Sequence, residues 1–122
     1  MKLFLACLMM LTGSAWAEWV LFLDQEKAQF FYDPATIRKD GNMRRVWTLQ
    51  NLIRPSEEGA MSNRIRVEYD CKEESYKILG GSIHSQPMTG GDVLHSFVED
   101  NKWRVIAPDT ASDVILKIVC AK

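Results

Sequence analysis

Beyond its first seventeen residues this chain has no long apolar run, which excludes a membrane-spanning helix from everything that follows. The longest uninterrupted stretch after Glu18 is the five residues Trp19–Leu23. A helix needs roughly 20 apolar residues to cross about 30 Å of hydrocarbon. Histidine is also scarce. His84 and His95 are the only two, and no HExxH, HxH or GxSxG pattern surrounds them or any serine. The metallopeptidase, zinc-site and nucleophile-elbow signatures are therefore missing. No charge of one sign dominates either: 15 basic residues meet 16 acidic ones, for a net charge of −1. A near-neutral chain is not built to bind nucleic acid or to lie on an anionic membrane through a polybasic segment.

Residues 1–17 (MKLFLACLMMLTGSAWA) are different in kind. One early cation, Lys2, precedes a nine-residue apolar run from Leu3 to Leu11, a polar break at Thr12-Gly13-Ser14, and small residues at Ala15 and Ala17. This is the pattern of a secretory signal peptide with an A-x-A cleavage site. Cleavage would leave a mature domain of residues 18–122, and loss of Lys2 would move its net charge to −2. A competing reading makes Cys7 a lipid attachment point. It leaves an apolar run of only four residues before the cysteine, and no purpose for the A-x-A site. The expected destination is the periplasm, the cell surface or the extracellular space.

Removing Cys7 leaves Cys71 and Cys120 as the only thiols. In an oxidising compartment a remaining pair points to a disulfide. Closing a loop of about 50 residues would stabilise the fold by about 4 kcal/mol in the chain-entropy model. The alternative, a metal or redox pair, lacks both CxxC spacing and nearby histidine partners.

Some 105 residues suffice for one compact domain and not for two. Trp19–Leu23 and Gln29–Tyr32 read as a first hairpin, ended by Asp33-Pro34. Asp40-Gly41-Asn42 marks a turn, followed by a strand over Met43–Ile53 with Trp47, Leu49 and Ile53 on one face. After a polar loop at 54–63 comes the cleanest alternation in the chain, from Arg64 to Cys71. It sends Ile65, Val67, Tyr69 and Cys71 inward and the four charged residues outward. A strand at Tyr76–Ile83 contains Gly80-Gly81, which suggests a bulge or a close backbone approach. Residues 84–92 read as a loop, and Val93–Glu99 and Trp103–Ala107 as further strands. The segment 111–120 divides evenly: its β-branched content favours a strand, its polar start and the positions of Ala111, Ile115, Ile118 and Val119 a helix.

Pairing Met43–Ile53 antiparallel with Arg64–Cys71 about a symmetric loop sets Ile53 against Ile65, Leu49 against Tyr69, and Trp47 against Cys71. Trp47 would then cover the disulfide.

No catalytic constellation emerges, and no cofactor or metal ligand set. His84 and His95 lie beside loop residues and read as surface histidines. Gly90-Gly91 lacks the rest of a phosphate-loop pattern. The pairs Glu57-Glu58 and Glu73-Glu74 read as loop solvation. One cluster stands out, formed by Arg38, Lys39, Arg44, Arg45, Arg64 and Arg66. It reads as solubility and edge protection on a solvated face, with a patch for an acidic ligand as the functional alternative.

Several features together resemble the surface-adhesin protein E-like family, exported proteins of Gram-negative bacteria. They are Phe31-Tyr32-Asp33 followed by an Arg- and Gly-containing stretch and Val46-Trp47, then Glu68-Tyr69-Asp70-Cys71. A glycine-rich loop, a Trp103 strand with Pro108, and a terminal Val119-Cys120 complete the series. The resemblance spans the mature chain. It implies an α+β fold in which a single antiparallel sheet of about six strands carries a C-terminal helix on one face, joined to it through the cysteines. It also turns the segment 111–120 towards helix. The best-known members are adhesins for host matrix proteins. This chain departs from a lipid-anchored pattern in lacking a lipobox. The resulting expectation is a non-catalytic exported binding domain with a protein partner, from host matrix or bacterial envelope. The alternative is a periplasmic protein acting on a bacterial partner as inhibitor or assembly factor. No ligand-contacting residue and no oligomeric state is assigned by the sequence.

Overall fold

A computed structural model describes residues 18–121. The expected signal peptide, residues 1–17, lies outside the described residues. The strands are β1 (Val20–Asp24), β2 (Ala28–Tyr32), β3 (Arg38–Asp40), β4 (Met43–Leu52), β5 (Ser62–Asp70), β6 (Ser75–His84), β7 (Val93–Val98) and β8 (Arg104–Val105), followed by helix α1 (Ala111–Cys120). All pairings are antiparallel, in the lateral order β1-β2-β4-β5-β6-β7.

The eight strands occupy six lanes. β3 lies along β4 beyond the end of β2, and β8 lies along β6 beyond β7. The chain breaks between β2 and β3 at Asp33-Pro34, as the proline requires. Asp33 Oδ1 accepts from the Ala35 N–H, a 3-10 turn follows over Pro34–Thr36, and the chain then rejoins the same flank of β4. β3 is the strand that sequence reading missed: three exposed polar residues carry no alternation to reveal it.

The two glycines of β6 serve different ends. Gly80, at φ +150°, sits where the β5–β6 register slips. Arg66 there opposes Gly80 while Val67 opposes Ile78, so one residue of β6 bulges out. Gly81 needs no special φ. A Cβ there would run into the Arg64 carbonyl oxygen and the Phe97 ring. Both features that the sequence suggested are present, one at each residue.

The hydrophobic core lies on a single face of the sheet. Tyr32, Val46, Val67, Tyr69 and Ile106 pack with Ile115, Leu116 and Val119 of α1. The helical alternative for residues 111–120 prevails for two local reasons. Thr110 caps the helix, its Oγ1 accepting from the Asp113 N–H at 3.2 Å. A helix also groups Ile115, Leu116 and Val119 on one side and leaves Lys117 exposed, whereas a strand would line Lys117 up with Ile115 and Val119. The Asp109 N–H and the Lys117 ammonium hold the Asp113 carboxyl below the usual carboxylate range. At the far end Cys71, one residue past β5, is bonded to Cys120, the last residue of α1, with Cα atoms 5.8 Å apart.

The β4–β5 register differs from the symmetric pairing expected. Trp47 opposes Arg66, Val46 opposes Val67, and Leu49 opposes Arg64. The turn is centred earlier than its composition implied. Ser56 O accepts from the Gly59 N–H at 2.9 Å, and Gly59 takes φ +84° to close a tight turn over Ser56–Gly59. Ser62 and Asn63 therefore belong to the ladder, and just before them Met61 O accepts from the Leu52 N–H. The offset is odd, so it transfers Trp47 and Leu49 to the opposite face. Trp47 does not cover the disulfide, which lies on the helix side. Ile53 ends up off the strand and exposed.

Candidate functional site

Alternation along β4 and β5 sorts the six basic residues flagged by sequence. Arg44 shares the helix side with Val46 and is 6% exposed. Its Nε donates to Val119 O at 3.2 Å and its Nη1 to Gly41 O at 2.7 Å. Arg44 is thus a structural clasp at the C-terminal end of α1, where a cation complements the helix dipole and meets carbonyls without intrahelical partners. Lys39 opposes Arg44 and falls on the same side. Arg38 opposes Arg45, and Arg45 shares its face with Trp47, Arg64, Arg66 and Glu68. Four arginines and one tryptophan therefore converge on the sheet face that α1 leaves uncovered.

Only part of this charge is neutralised within the face. Glu68, expected to be solvated, is 7% exposed, clasped by Arg45 (3.0 Å) and Lys77 (3.7 Å), with Lys77 reaching on to Glu99 (3.2 Å). Lys77 also lies over the Trp103 ring, 5.1 Å from its centre. Arg64 stacks on Trp47 with its guanidinium carbon 4.2 Å from the ring centre, and it makes no ion pair with a carboxylate among the described residues. Arg38 donates to the Ala35 and Ile37 carbonyls. The Arg66 guanidinium, half-buried, has no hydrogen-bond or ion-pair partner among the described residues. At the lower end of the face Asp70 is turned to its own loop, accepting from the Lys72 and Glu73 N–H groups at 3.0 Å.

The other end of this face is closed by the loop after β6. The Met88 N–H donates to Asn51 Oδ1 at 2.8 Å, and the Thr89 N–H to Ser62 Oγ at 2.9 Å. Met88 and Thr89 adopt positive φ to make these contacts. Beneath the loop lies His84, which is 8% exposed rather than at the surface. Its Nε2 is 2.7 Å from Ser82 Oγ, and its Nδ1 is buried without a hydrogen-bond partner among the described residues. His95 is exposed, as expected. The two glutamate pairs are exposed in turns. No group of His, Cys, Asp and Glu among the described residues could hold a metal ion.

On the helix side, an open groove of about 260 Å³ runs from the start of α1 across the sheet, lined by Phe22, Phe30, Ile65, Tyr76, Ile78 and Ala111 among others. Tyr69 reaches its wall. Burial, with Tyr76 alongside, pushes the Tyr69 phenol well above its ordinary range. Sequence reading did not foresee this groove, because it forms where α1 stops short of covering the sheet.

An antiparallel sheet closed on one side by a disulfide-tethered C-terminal helix, and open and arginine-rich on the other, defines an α+β domain with one broad uncovered face. The chain belongs to the surface-adhesin protein E family, whose model matches residues 19–121. That family comprises adhesin-like surface proteins. The fold is similar to that of Haemophilus influenzae protein E in crystal form II, at 14% identity with a TM-score of 0.66, covering 88% of this chain and 91% of that one. A selenomethionine form of the same organism's protein matches at 13% identity and TM-score 0.61, covering 88% and 89%. Protein E from non-typeable Haemophilus influenzae matches at 13% and 0.56, covering 89% and 79%. No curated protein is a significant sequence match. Among the described residues no helix is long and apolar enough to cross a membrane.

Proposed function

We propose that the chain is a non-catalytic, adhesin-like binding protein whose mature domain, residues 18–122, is released from a cleaved signal peptide and recognises a partner in the host matrix or the cell envelope. The observation that carries this reading is the uncovered sheet face. A family of surface adhesins supplies the scaffold, and on this scaffold Arg38, Arg45, Arg64 and Arg66 are gathered on one side around Trp47. Arginine and aromatic side chains at the centre of a broad surface are the residue types that dominate binding energy in protein recognition.

The test is binding of the mature domain to immobilised matrix proteins and to envelope extract, paired with protease accessibility on intact cells. Specific binding and surface accessibility support an adhesin. Capture of an envelope protein by a domain that protease cannot reach would replace it with the periplasmic inhibitor or assembly role.

A further inference from the structure

We infer that the open face of β3–β6 binds a linear sulfated polysaccharide, with Arg64 and Arg66 as its central contacts and Arg38 and Arg45 extending the track. The inference rests on the reading of that face as a recognition surface and adds the chemistry of what it recognises.

Charge segregation carries the argument. The chain as a whole is slightly acidic, with a net charge of −1. On this face, however, the carboxylates are already engaged: Glu68 lies between Arg45 and Lys77, and Asp70 caps its own turn. Arg64 and Arg66 remain without a carboxylate partner among the described residues, two positions apart on β5 and so roughly 7 Å from one another. Their like charges repel in the free protein, and a bound polyanion would relieve that repulsion. Stacking on Trp47 holds the Arg64 guanidinium in place, so less side-chain freedom is lost when it binds.

Shape and residue type narrow the ligand. The track is made of arginines, whose planar fork pairs bidentately with tetrahedral and planar oxyanions. It crosses three adjacent strands, Arg38 on β3, Arg45 on β4, and Arg64 and Arg66 on β5, and the open hollow of about 400 Å³ on this face, between Met43, Asp70, Trp103 and Val105, includes none of them. Such a row fits an extended chain bearing repeated anionic groups better than a single small anion. A lipid surface is disfavoured at the arginine track because the large apolar residues among the arginines are not exposed: Leu49 is 1% exposed, and Trp47 is half-buried under Arg64, while the exposed Trp103 and Val105 lie at the other end of the face beside Asp70 and Glu73. Membrane binding of this kind adds buried apolar area to the electrostatic attraction.

The experiment compares the full mature domain with Arg64→Ser/Arg66→Ser, and with Arg54→Ser as a control at an exposed position in the β4–β5 connection. Each is passed over immobilised heparin and over desulfated heparin in a salt gradient. Circular dichroism and thermal unfolding confirm that the variants fold, and Arg66→Lys serves as a charge-retaining version. The expected result is retention on heparin and not on the desulfated matrix, with roughly tenfold weaker affinity for the double variant and none lost in the control. Failure of the wild-type domain to bind heparin, or equal binding by the double variant, overturns the proposal. Equal or stronger binding to vesicles of phosphatidylcholine and phosphatidylglycerol, or to polyglutamate, also overturns it in favour of a membrane or an acidic peptide. Matrix proteins stripped of their polysaccharide separate the two levels: if they are still bound while heparin is not, the recognition reading stands and the polysaccharide does not.

Discussion

Arg44 Nε donates to Val119 O across 75 residues of sequence, pinning the last turn of α1 to the first residues of β4. The contact sits at the same end of the helix as the Cys71–Cys120 bond. One link is polar and reversible, the other covalent. Together they hold a ten-residue helix, too short to be stable alone, against the sheet.

Arg44→Ala should therefore lower stability by about 1.5–3 kcal/mol, the range for hydrogen bonds made by a charged group, because buried carbonyls lose their donor. Urea unfolding of the oxidised domain measures this. A loss below half a kcal/mol would show that water replaces the guanidinium without cost.

The disulfide is expected to form in the exported protein. Blocking thiols under denaturing conditions should add no mass, and Cys71→Ala/Cys120→Ala should cost roughly 2–5 kcal/mol. Because Arg44 would still clasp Val119, the reduced domain should retain helix α1 at low temperature, visible as unchanged far-ultraviolet ellipticity.

Trp47 and Leu49 share a face but not an environment. Leu49 is 1% exposed, and Leu49→Ala should cost about 2–5 kcal/mol. Trp47 is half-buried, so Trp47→Ala should cost only about 2 kcal/mol, most of it from lost apolar contact. Reversal of that order would mean that Trp47 is a core residue.

Tyr69 makes the fold sensitive to alkali. Its phenol is held well above the ordinary range by burial, with Tyr76 as a lesser cause. A group whose folded pKa is raised contributes stability in full below its unfolded value, near 10, and loses it as pH rises above that towards the folded value. Stability should fall from about pH 10 upwards. Absorbance of ionised tyrosine should show Tyr69 titrating only together with unfolding, and Tyr69→Phe should remove the late component.

Gly81→Ala should be more harmful than its ordinary backbone angles suggest. The added methyl meets the Arg64 carbonyl and the Phe97 ring, one on each neighbouring strand. A cost of about 1–3 kcal/mol is expected, as for overpacking. Gly59→Ala, with open space around it but φ +84°, should show backbone strain without a clash.

What the amino-acid order determined alone is local. The alternation Ile65, Val67, Tyr69 identifies which side of β5 is inward, because side-chain direction along a strand has a fixed period of two. Asp33-Pro34, Gly41 and Gly80-Gly81 mark interruptions, because proline and glycine act on the backbone at their own positions. The helix over residues 111–120 was only half legible, since a short apolar segment satisfies both periodicities until its packing partner is known. The resemblance to the adhesin family, not periodicity, pointed to helix.

The tertiary structure decided what depends on where two distant segments meet. A turn closing at Gly59 moved the β4–β5 register by an odd number and took Trp47 to the open face. The same shift explains the basic cluster. Its six residues were visible as a list, but strand pairing separated Arg44, clasped to Val119, from Arg38, Arg45, Arg64 and Arg66 on the uncovered side. Glu68 and His84 became buried for the same reason, because burial is a property of what a neighbouring strand or loop lays across a residue. Composition bounded the class of protein; pairing geometry placed its charge.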